Sequence, residues 1–543
     1  MTVSNGNSYA TTFDNRVGGT PITRDNDGPY QVSEHILCAP RKLRVGCIGA
    51  GASGIMMCYK KEKEFGDDID LVVYETEIQS YYESFAREKG YVDNYIKLCH
   101  RVDKASWDEP NGQWILTVTE TTNGQEKTFE DRVDFLIANI GILNTWKWPD
   151  IPNREAFRGH ITHSADYDTD LDLEGKTVID IGSDASAIQI VPAIKSTAKK
   201  VISFYRTPQW IGPGLPMEGY TDSEGRNFVY TDEQKKRFAE DPKAYLEHRK
   251  EMETKINTSF RNNIAEHPNQ KMAREFVAKR MAKILKNDEK LTQRLIPTFP
   301  MGCRRLGPAE EFLESFHEDN VELAEGEIES FTENGLRVAD GTEYKADVII
   351  CATGFNVSFK PHFPVIDRDD VSLADAWKDD PAAYLALAAS GFPNFMLGSL
   401  VPNCPAGHGS FITVLEAAQN YICKVIRKIQ TENILTLDVK PEVVDEYNEH
   451  VHEWLKRTVW TAGCRSWYNQ GRPNGKITAQ YPGSLVHWRL MLENPRYEHY
   501  NIQYRSRNRF EFMGNGFTLP EVSGEDLAWY LDPGHIAKPL FSE

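Results

Sequence analysis

The sequence predicts an α/β fold with two dinucleotide-binding (Rossmann-like) domains, because an apolar strand, a glycine turn and a helical pattern follow one another twice. The first series begins with the apolar residues 43–48 and continues into a turn at 49–54. The second occupies residues 176–193, with its turn at 182–187. A turn of this kind places unpaired N–H groups of a helix where a dinucleotide can bind, so two such domains are expected.

The first series has the residues that a dinucleotide-binding fingerprint requires. Gly49 makes the tight turn, Gly51 lets the backbone approach a pyrophosphate, and Gly54 lets the helix lie close to the sheet. Ser53 lies in the same turn and is a further candidate for cofactor contact. A second apolar strand ends on Glu75, which follows Gly49 by 26 residues and is placed to bind a ribose diol. A glycine-rich surface turn is the rival interpretation.

The second series departs from the fingerprint at one position. Its turn contains Gly182, Ser183 and Ser186, which are candidates for contact with a second dinucleotide. Asp184 stands where the fingerprint has its middle glycine, and a carboxylate there adds bulk and negative charge beside a pyrophosphate. Two such turns suggest two cofactors whose reactive ends meet between the domains, and the usual pair is FAD with NAD(P)H.

Composition indicates a globular protein that binds neither nucleic acid nor membranes. The chain has 543 residues, enough for more than one domain, and 26% of them are charged. Its net charge of −18 argues against contact with nucleic-acid phosphates or anionic lipid. No run of about eighteen apolar residues occurs, and the opening residues lack the pattern of a signal peptide. A cytoplasmic location is therefore expected.

The nine cysteines show no CxxC spacing and are odd in number. This usage favours reduced thiols over a disulfide framework or a zinc site. The sequence therefore predicts neither a disulfide nor a metal centre.

Periodicity predicts the remaining elements in order. After the first series a helix is expected at 78–89, and then two strands, 114–121 and 127–133. Asn123-Gly124 lies between these strands, which indicates a hairpin with a two-residue turn. The other expected elements are strands at 133–141, 200–204, 321–323, 335–338 and 346–351 and a helix at 412–428.

A charged stretch, residues 231–295, has helical spacing. Met272, Phe276, Ile284 and Leu285 are expected on one face, packed as core, with the charged residues on the solvated side.

Residues 157–168, FRGHITHSADYD, resemble the fingerprint of the class B flavoprotein monooxygenases. The chain is similar to fungal Baeyer–Villiger monooxygenases of this class over residues 41–517. Further segments that carry the similarity are LNTWKWPDIPN (143–153), FYRTPQWI (204–211), MGCRRLGP (301–308), DVIICATGF (347–355), PNCPAGHGS (402–410) and CRSWY (464–468).

The resemblance implies an FAD- and NADPH-dependent enzyme that inserts one atom of O2 into a small apolar ketone, giving an ester or lactone. Arg305 corresponds to the active-site arginine, which would stabilise the negative charge that develops during oxygen transfer. Trp467 corresponds to an aromatic residue near the nicotinamide and substrate. Arg206, Thr207 and Arg304 correspond to the residues that hold the 2′-phosphate of NADPH.

The resemblance also implies a domain organisation. After a polar arm (1–40), the FAD domain is expected in two parts, 41–145 and 340–543. The NADPH domain, 150–340, is inserted between them and contains a helical subdomain at 225–295.

The chain departs from the family most clearly after Glu75. Family members continue there into a segment of a few dozen residues that wraps the flavin and supplies an aspartate partner for the arginine at position 305. Here Glu75 runs almost directly into the predicted helix, so part of the flavin site is expected to be open to water. A milder departure is Tyr167, where the Baeyer–Villiger fingerprint has tryptophan.

Two alternatives stay open on these residues. The lost segment and Asp184 together favour a non-catalytic or mis-annotated descendant of the family. Tyr167 is typical of flavin monooxygenases that oxygenate nitrogen or sulfur.

Overall fold

The computed structural model describes residues 30–37, 39–212, 229–398 and 401–531. The first 29 residues of the predicted arm, and 225–228 of the predicted helical subdomain, lie outside this part. In chain order the strands are β1 (Leu43–Ile48), β2 (Ile69–Tyr74), β3 (Ile96–Lys97), β4 (His100–Asp108), β5 (Gln113–Thr122), β6 (Gln125–Val133), β7 (Phe135–Ala138), β8 (His160–His163), β9 (Thr177–Ile181), β10 (Lys200–Phe204), β11 (Val321–Leu323), β12 (Ile328–Thr332), β13 (Gly335–Val338), β14 (Glu343–Lys345), β15 (Val348–Cys351), β16 (Val365–Ile366), β17 (Phe395–Met396), β18 (Ile434–Val439) and β19 (Tyr500–Tyr504).

Helices connect and cover these strands. In chain order they are α1 (Ala52–Lys60), α2 (Ser80–Glu88), α3 (Tyr91–Asn94), α4 (Ala187–Ile194), α5 (Asp232–Glu240), α6 (Pro242–Thr258), α7 (Pro268–Ile284), α8 (Glu289–Leu295), α9 (Glu310–Ser315), α10 (Leu373–Ala376), α11 (Phe411–Thr431), α12 (Pro441–Leu455), α13 (Leu485–Glu493) and α14 (Leu519–Ser523).

The first domain is built on a parallel sheet with strand order β17-β7-β1-β2-β3. β1 and β7 are almost entirely buried, as their continuous apolar runs require in a sheet covered on both faces. Helix α1 packs with α11 on one face, and the β4–β6 sheet covers the other. Since β17 follows the whole second domain in sequence, the first domain is assembled from two parts of the chain.

The second domain has its own parallel sheet, with order β11-β10-β9-β15-β8. Its strands fall between those of the first sheet, which confirms two Rossmann-like folds with one inserted in the other. Strand β15 pairs with β9 in register Val348↔Val178. The second sheet therefore extends to Cys351, beyond the boundary expected at residue 340, because the sequence between β13 and β15 contains only short strands and no break in composition.

The hairpin expected at Asn123-Gly124 is present as β5 and β6, and both turn residues have positive φ (52° and 75°). That backbone suits a two-residue turn matching the twist of the strands. The helices expected at 78–89 and 412–428 correspond to α2 and α11, with small shifts at the ends.

The expected core face of the helical subdomain is wrong in part. Met272 is 66% exposed and Phe276 49% exposed, whereas Leu285 is fully buried. Helix α7 instead buries Val277 and Met281 against the second domain. The buried row lies one residue further along the helix, which corresponds to a rotation of about 100°. The helix has two apolar rows, and packing against the second domain determines which of them is buried.

Two linkers join the domains and run side by side: the first, residues 139–159, connects β7 to β8, and the second, residues 352–364, connects β15 to β16. Trp146 forms a bridge with Phe355, and the Asn356 N–H donates to the Thr145 carbonyl at 2.8 Å. His163, at the end of β8, stacks on Trp146 with ring centroids 4.3 Å apart.

The segment 30–37 runs beside residues 515–518, where the Leu37 N–H donates to the Phe517 carbonyl at 2.9 Å. Among the helices of the described ranges, none has the length and apolar character to cross a bilayer.

Candidate functional site

The first glycine turn lies between β1 and α1 and has the shape of a dinucleotide cradle. Gly49 has φ +103°, and a Cβ there would collide with the Asn139 carbonyl. A Cβ on Gly54 would collide with the Gly49 carbonyl, so both positions require glycine. Gly51 differs, because a Cβ there would meet nothing within 4 Å. The open space above Gly51 is where a pyrophosphate could approach, so the residues fit FAD.

Glu75 closes the same edge of the sheet. One carboxylate oxygen accepts from the Ala50 N–H at 2.8 Å and the other from the Thr76 N–H at 2.8 Å. Oε1 also accepts from the Thr76 hydroxyl at 3.2 Å and from the Glu77 N–H at 3.4 Å, so Oε2, which accepts from Ala50 alone, is the oxygen that could accept from a ribose hydroxyl. Ser53 is buried and donates to the Gly398 carbonyl at 3.4 Å, which ties α1 to the segment after β17.

Asn139 supports this turn and was missed by the sequence reasoning. Its side chain is buried, donates to the Cys47 Sγ at 3.0 Å and accepts from Gln419 at 3.2 Å. The available signal was its position directly after β7, at the carboxyl edge of the sheet.

A small cleft of about 10 Å³ lies beside Ala138, at the carboxyl end of β7. Its walls come from the ends of β7 and β17 and from the second linker, and they are largely apolar, with Ile140, Ile142, Phe359, Leu397 and Val401. Its apolar lining is of the kind that packs against the ring system of a cofactor or against an apolar substrate.

The second glycine turn lies between β9 and α4. A Cβ on Gly182 would lie 2.5 Å from the Ala352 carbonyl, so this glycine is required by the close approach of β15. Ser183 and Ser186 are partly exposed, and their hydroxyls make no hydrogen bond to any residue in the described ranges. They are therefore free to donate to a phosphate.

The Asp184 carboxylate has two partners within the chain. Its Oδ2 lies 3.5 Å from Nη2 of Arg304, and its Oδ1 accepts from the Ala185 N–H at 2.9 Å. Arg304 also donates to the Thr207 carbonyl at 3.3 Å. Arg206, next to Thr207, is exposed. The structure thus brings together the three residues assigned to the 2′-phosphate, but it pairs one of them with Asp184.

Arg305 is exposed, and its guanidinium makes no ion pair or hydrogen bond within the part of the chain that the structure describes. Its positive charge acts on Tyr468, a buried phenol whose pKa is raised by burial and lowered slightly by Arg305. Arg305 therefore lies beside the segment that contains Trp467.

A disulfide joins these two segments, which contradicts the expectation of reduced thiols throughout. Cys303 and Cys464 are bonded with Cα atoms 6.1 Å apart, within the range that a disulfide needs, although 161 residues separate them in sequence. Both cysteines are buried. Spacing in the sequence could not reveal the pair, but each cysteine stands in a segment already singled out, MGCRRLGP or CRSWY.

Trp467 begins a short 3-10 turn three residues after Cys464. Its ring lies 4.8 Å from that of Tyr468 and packs on a cluster that includes Phe359 and Val401, which also line the cleft. Trp467 therefore packs on residues that also line the cleft.

His163 belongs to the linkers and not to this constellation. Its Nδ1 accepts from the Ala165 N–H at 3.1 Å, its Nε2 lies 3.3 Å from Thr353 Oγ1, and burial lowers its pKa. The neutral ring fixes the packing of the linkers, which is a structural role.

Comparison with known proteins agrees with this architecture. Residues 46–296 match the family model of flavin-binding monooxygenase-like proteins. The FAD-binding monooxygenase tazF of Aspergillus terreus is 34% identical, over 91% of this chain and 95% of its own. A Baeyer–Villiger monooxygenase of Streptomyces coelicolor is 31% identical, over 76% of this chain and 75% of its own.

Among solved structures, cyclohexanone monooxygenase from Rhodococcus sp. Phi1 bound to NADP+ superposes with a TM-score of 0.71. It is 19% identical and is matched over 86% of this chain and 100% of its own. That likeness supports the two-domain fold.

Five residues separate β2 from α2, at the place where a longer segment is expected from the family resemblance. The match to tazF covers 91% of this chain at 34% identity. With this identity over nine-tenths of its length, the chain belongs to the FAD-binding monooxygenases of the flavin-binding monooxygenase-like family.

Proposed function

We propose that this monooxygenase uses FAD and NADPH to insert one atom of O2 into a small apolar ketone, giving an ester or lactone. The observation that carries the proposal is that the Cys303–Cys464 disulfide joins the segment of Trp467 to the segment of Arg305, whose guanidinium has no ion pair in the described ranges. The relatives named Baeyer–Villiger monooxygenases support the same reaction class. Relatives from fungi favour a role in secondary metabolism.

In this proposal the first turn holds FAD through Gly49, Gly51 and Glu75. FAD, when bound, supplies the reaction with O2 and the transfer of oxygen. The second turn holds NADPH through Ser183 and Ser186, which is supported by the NADP+-bound structural neighbour.

Arg305 has the properties that oxygen transfer to a ketone requires of the protein. A guanidinium remains charged at all working pH values and presents several donors in fixed geometry. Placed beside the reacting carbonyl, it would stabilise the negative charge that develops on oxygen. Trp467 and the apolar cleft would orient the substrate and exclude water on that side.

Water is less well excluded on the side where the family segment is missing. Tyr81 and Phe85 of α2 are 79% and 41% exposed there, directly after the short connection from Glu75. We therefore expect part of the consumed NADPH to yield hydrogen peroxide instead of oxygenated product.

The visible absorption spectrum of purified protein, before and after anaerobic addition of NADPH, tests the proposal. Flavin bands that bleach with NADPH, followed by ester formation from an apolar ketone in air, are the expected result. Bands that NADPH does not bleach would contradict the assignment of the second turn.

A second candidate function is that of a non-catalytic descendant that keeps the fold for binding. The short connection after Glu75 and the presence of Asp184 favour it, since both cofactor sites are altered. Protein that takes up no added FAD would favour this candidate. Oxygenation of an amine or sulfide in preference to a ketone would instead favour a heteroatom-oxygenating flavin monooxygenase. Tyr167 is typical of those enzymes.

A further inference from the structure

Arg304 contacts the segments that follow β9 and β10, at the carboxyl edge of the second sheet. Its Nη2 faces Asp184, in the turn after β9, at 3.5 Å. Its Nη1 donates to the Thr207 carbonyl, just past the end of β10, at 3.3 Å. Both terminal nitrogens of the guanidinium are therefore already directed at oxygen atoms of this chain.

The burial of the two partners differs. Arg304 is only 8% exposed, whereas the side chain of Asp184 is 48% exposed. A buried guanidinium that lost its carboxylate partner would leave a charge uncompensated in a region of low dielectric, which is costly. The ion pair therefore keeps the Arg304 guanidinium directed toward Asp184. As a result, the guanidinium is less available to bind a charged group of a ligand.

Arg206 is placed differently. It lies two residues after the end of β10, is exposed, and makes no ion pair or side-chain hydrogen bond with any residue of the described ranges. Of the two arginines assigned to the 2′-phosphate, it is the one whose charge is available.

We propose that Asp184 sets coenzyme selectivity by holding Arg304 in an internal ion pair, so that a 2′-phosphate is recognised by Arg206 and not by Arg304. This inference rests on the proposed function, since it concerns the same dinucleotide site. It makes the chain a weak discriminator between NADPH and NADH, because the difference between them is the 2′-phosphate alone.

Two effects of Asp184 are separable by the choice of ligand. Repulsion between its carboxylate and the pyrophosphate acts on both dinucleotides equally. Sequestration of Arg304 acts only on the one that carries a 2′-phosphate. The ratio of the two dissociation constants therefore reports sequestration.

The test is calorimetric titration of the full-length protein, in the presence of added FAD, with NADP+ and with NAD+. Wild-type dissociation constants should differ by less than about tenfold. In Asp184→Asn, which keeps an oxygen acceptor for Arg304 and Ala185 but removes the charge, NADP+ should bind about tenfold more tightly and NAD+ at most about threefold. Adding Arg304→Gln to Asp184→Asn should remove the gain.

Glu174→Gln is the matched control, since it removes one exposed carboxylate from the same domain at the opposite edge of the sheet, before β9. It should leave the ratio unchanged. Equal tightening of both dinucleotides in Asp184→Asn would overturn the inference, as would a wild-type preference for NADP+ above about a hundredfold. A wild-type protein that binds neither would overturn the proposed function, and the inference with it.

Discussion

At the scale of single residues, environment decides what each polar side chain can do. Arg304 and Arg305 are neighbours in sequence, yet one is buried in an ion pair and the other is exposed without one in the described ranges. Burial lowers the pKa of His163, whose Nδ1 accepts a backbone N–H. Residues of the same type that are adjacent in sequence can therefore differ in function, because their burial and their interaction partners differ.

The role of Arg305 leads to a prediction for Arg305→Ala. Product formation should fall by about two to three orders of magnitude, the effect of losing one donor to a developing negative charge. Flavin reduction by NADPH should stay within about threefold, because the hydride does not pass through this side chain. Stopped-flow absorbance measures the reduction and product analysis measures the oxygenation.

Arg305→Lys is the control for charge alone, since it keeps the cation and loses the fork of donors. It should retain part of the activity. Undiminished ester formation in Arg305→Ala, with normal flavin content, would contradict the assigned role.

At the scale of elements, strand β9 contains an acidic residue that is buried without a hydrogen-bond partner among the described residues. Asp180 is fully buried, and neither carboxylate oxygen has a partner among the described residues. Its neighbour across the ladder, Ser203 of β10, is also buried with an unpartnered hydroxyl. Burial raises the pKa of Asp180 well above 3.8, so the folded strand holds a neutral acid.

We expect Asp180→Val to raise the free energy of unfolding by about 1–3 kcal/mol near pH 8, because an unpaired polar group leaves the core. Between pH 3.8 and the raised pKa, the unfolded state has released the proton and the folded state has not. Wild-type stability therefore falls as pH rises through this window, and the advantage of the variant should grow with pH. Thermal unfolding at a series of pH values measures both effects.

Asp180→Asn separates charge from polarity. It should remove the pH dependence but gain less stability, since a buried amide still lacks partners. A variant Asp180→Val that unfolds at lower temperature than wild type at pH 8 would show that the carboxyl has a stabilising partner.

At the scale of the whole molecule, the disulfide is the covalent link between the inserted domain and the C-terminal part of the chain. Cys303 lies two residues before Arg305, and Cys464 lies three before Trp467. The bond closes a loop of 161 residues and so restricts the unfolded chain as well as the two site segments.

Cys303→Ser and Cys464→Ser should each lower stability by about 2–4 kcal/mol. Each should also raise the ketone KM and the yield of hydrogen peroxide, because Arg305 and Trp467 are no longer held together. The double variant should match the single ones, since either change breaks the same bond. Chemical denaturation and peroxide assays measure these effects.

Cys99→Ser, at an exposed free thiol, is the control and should change neither the stability nor the peroxide yield. Additive losses of stability in the double variant would contradict a shared bond.

The sequence by itself determined the two Rossmann-like folds and the hairpin at Asn123-Gly124, because strand periodicity, glycine turns and turn residues are local signals. The insertion of one domain in the other was predicted from the resemblance to the family. The sequence also singled out the segments around Arg305 and Trp467 as site candidates, although their roles remain proposals. Only the tertiary structure decided which row of α7 is buried, that Cys303 meets Cys464, and that Asp184 pairs with Arg304. These are contacts between residues distant in sequence, and they depend on how the sheets and helices pack, which no local pattern specifies.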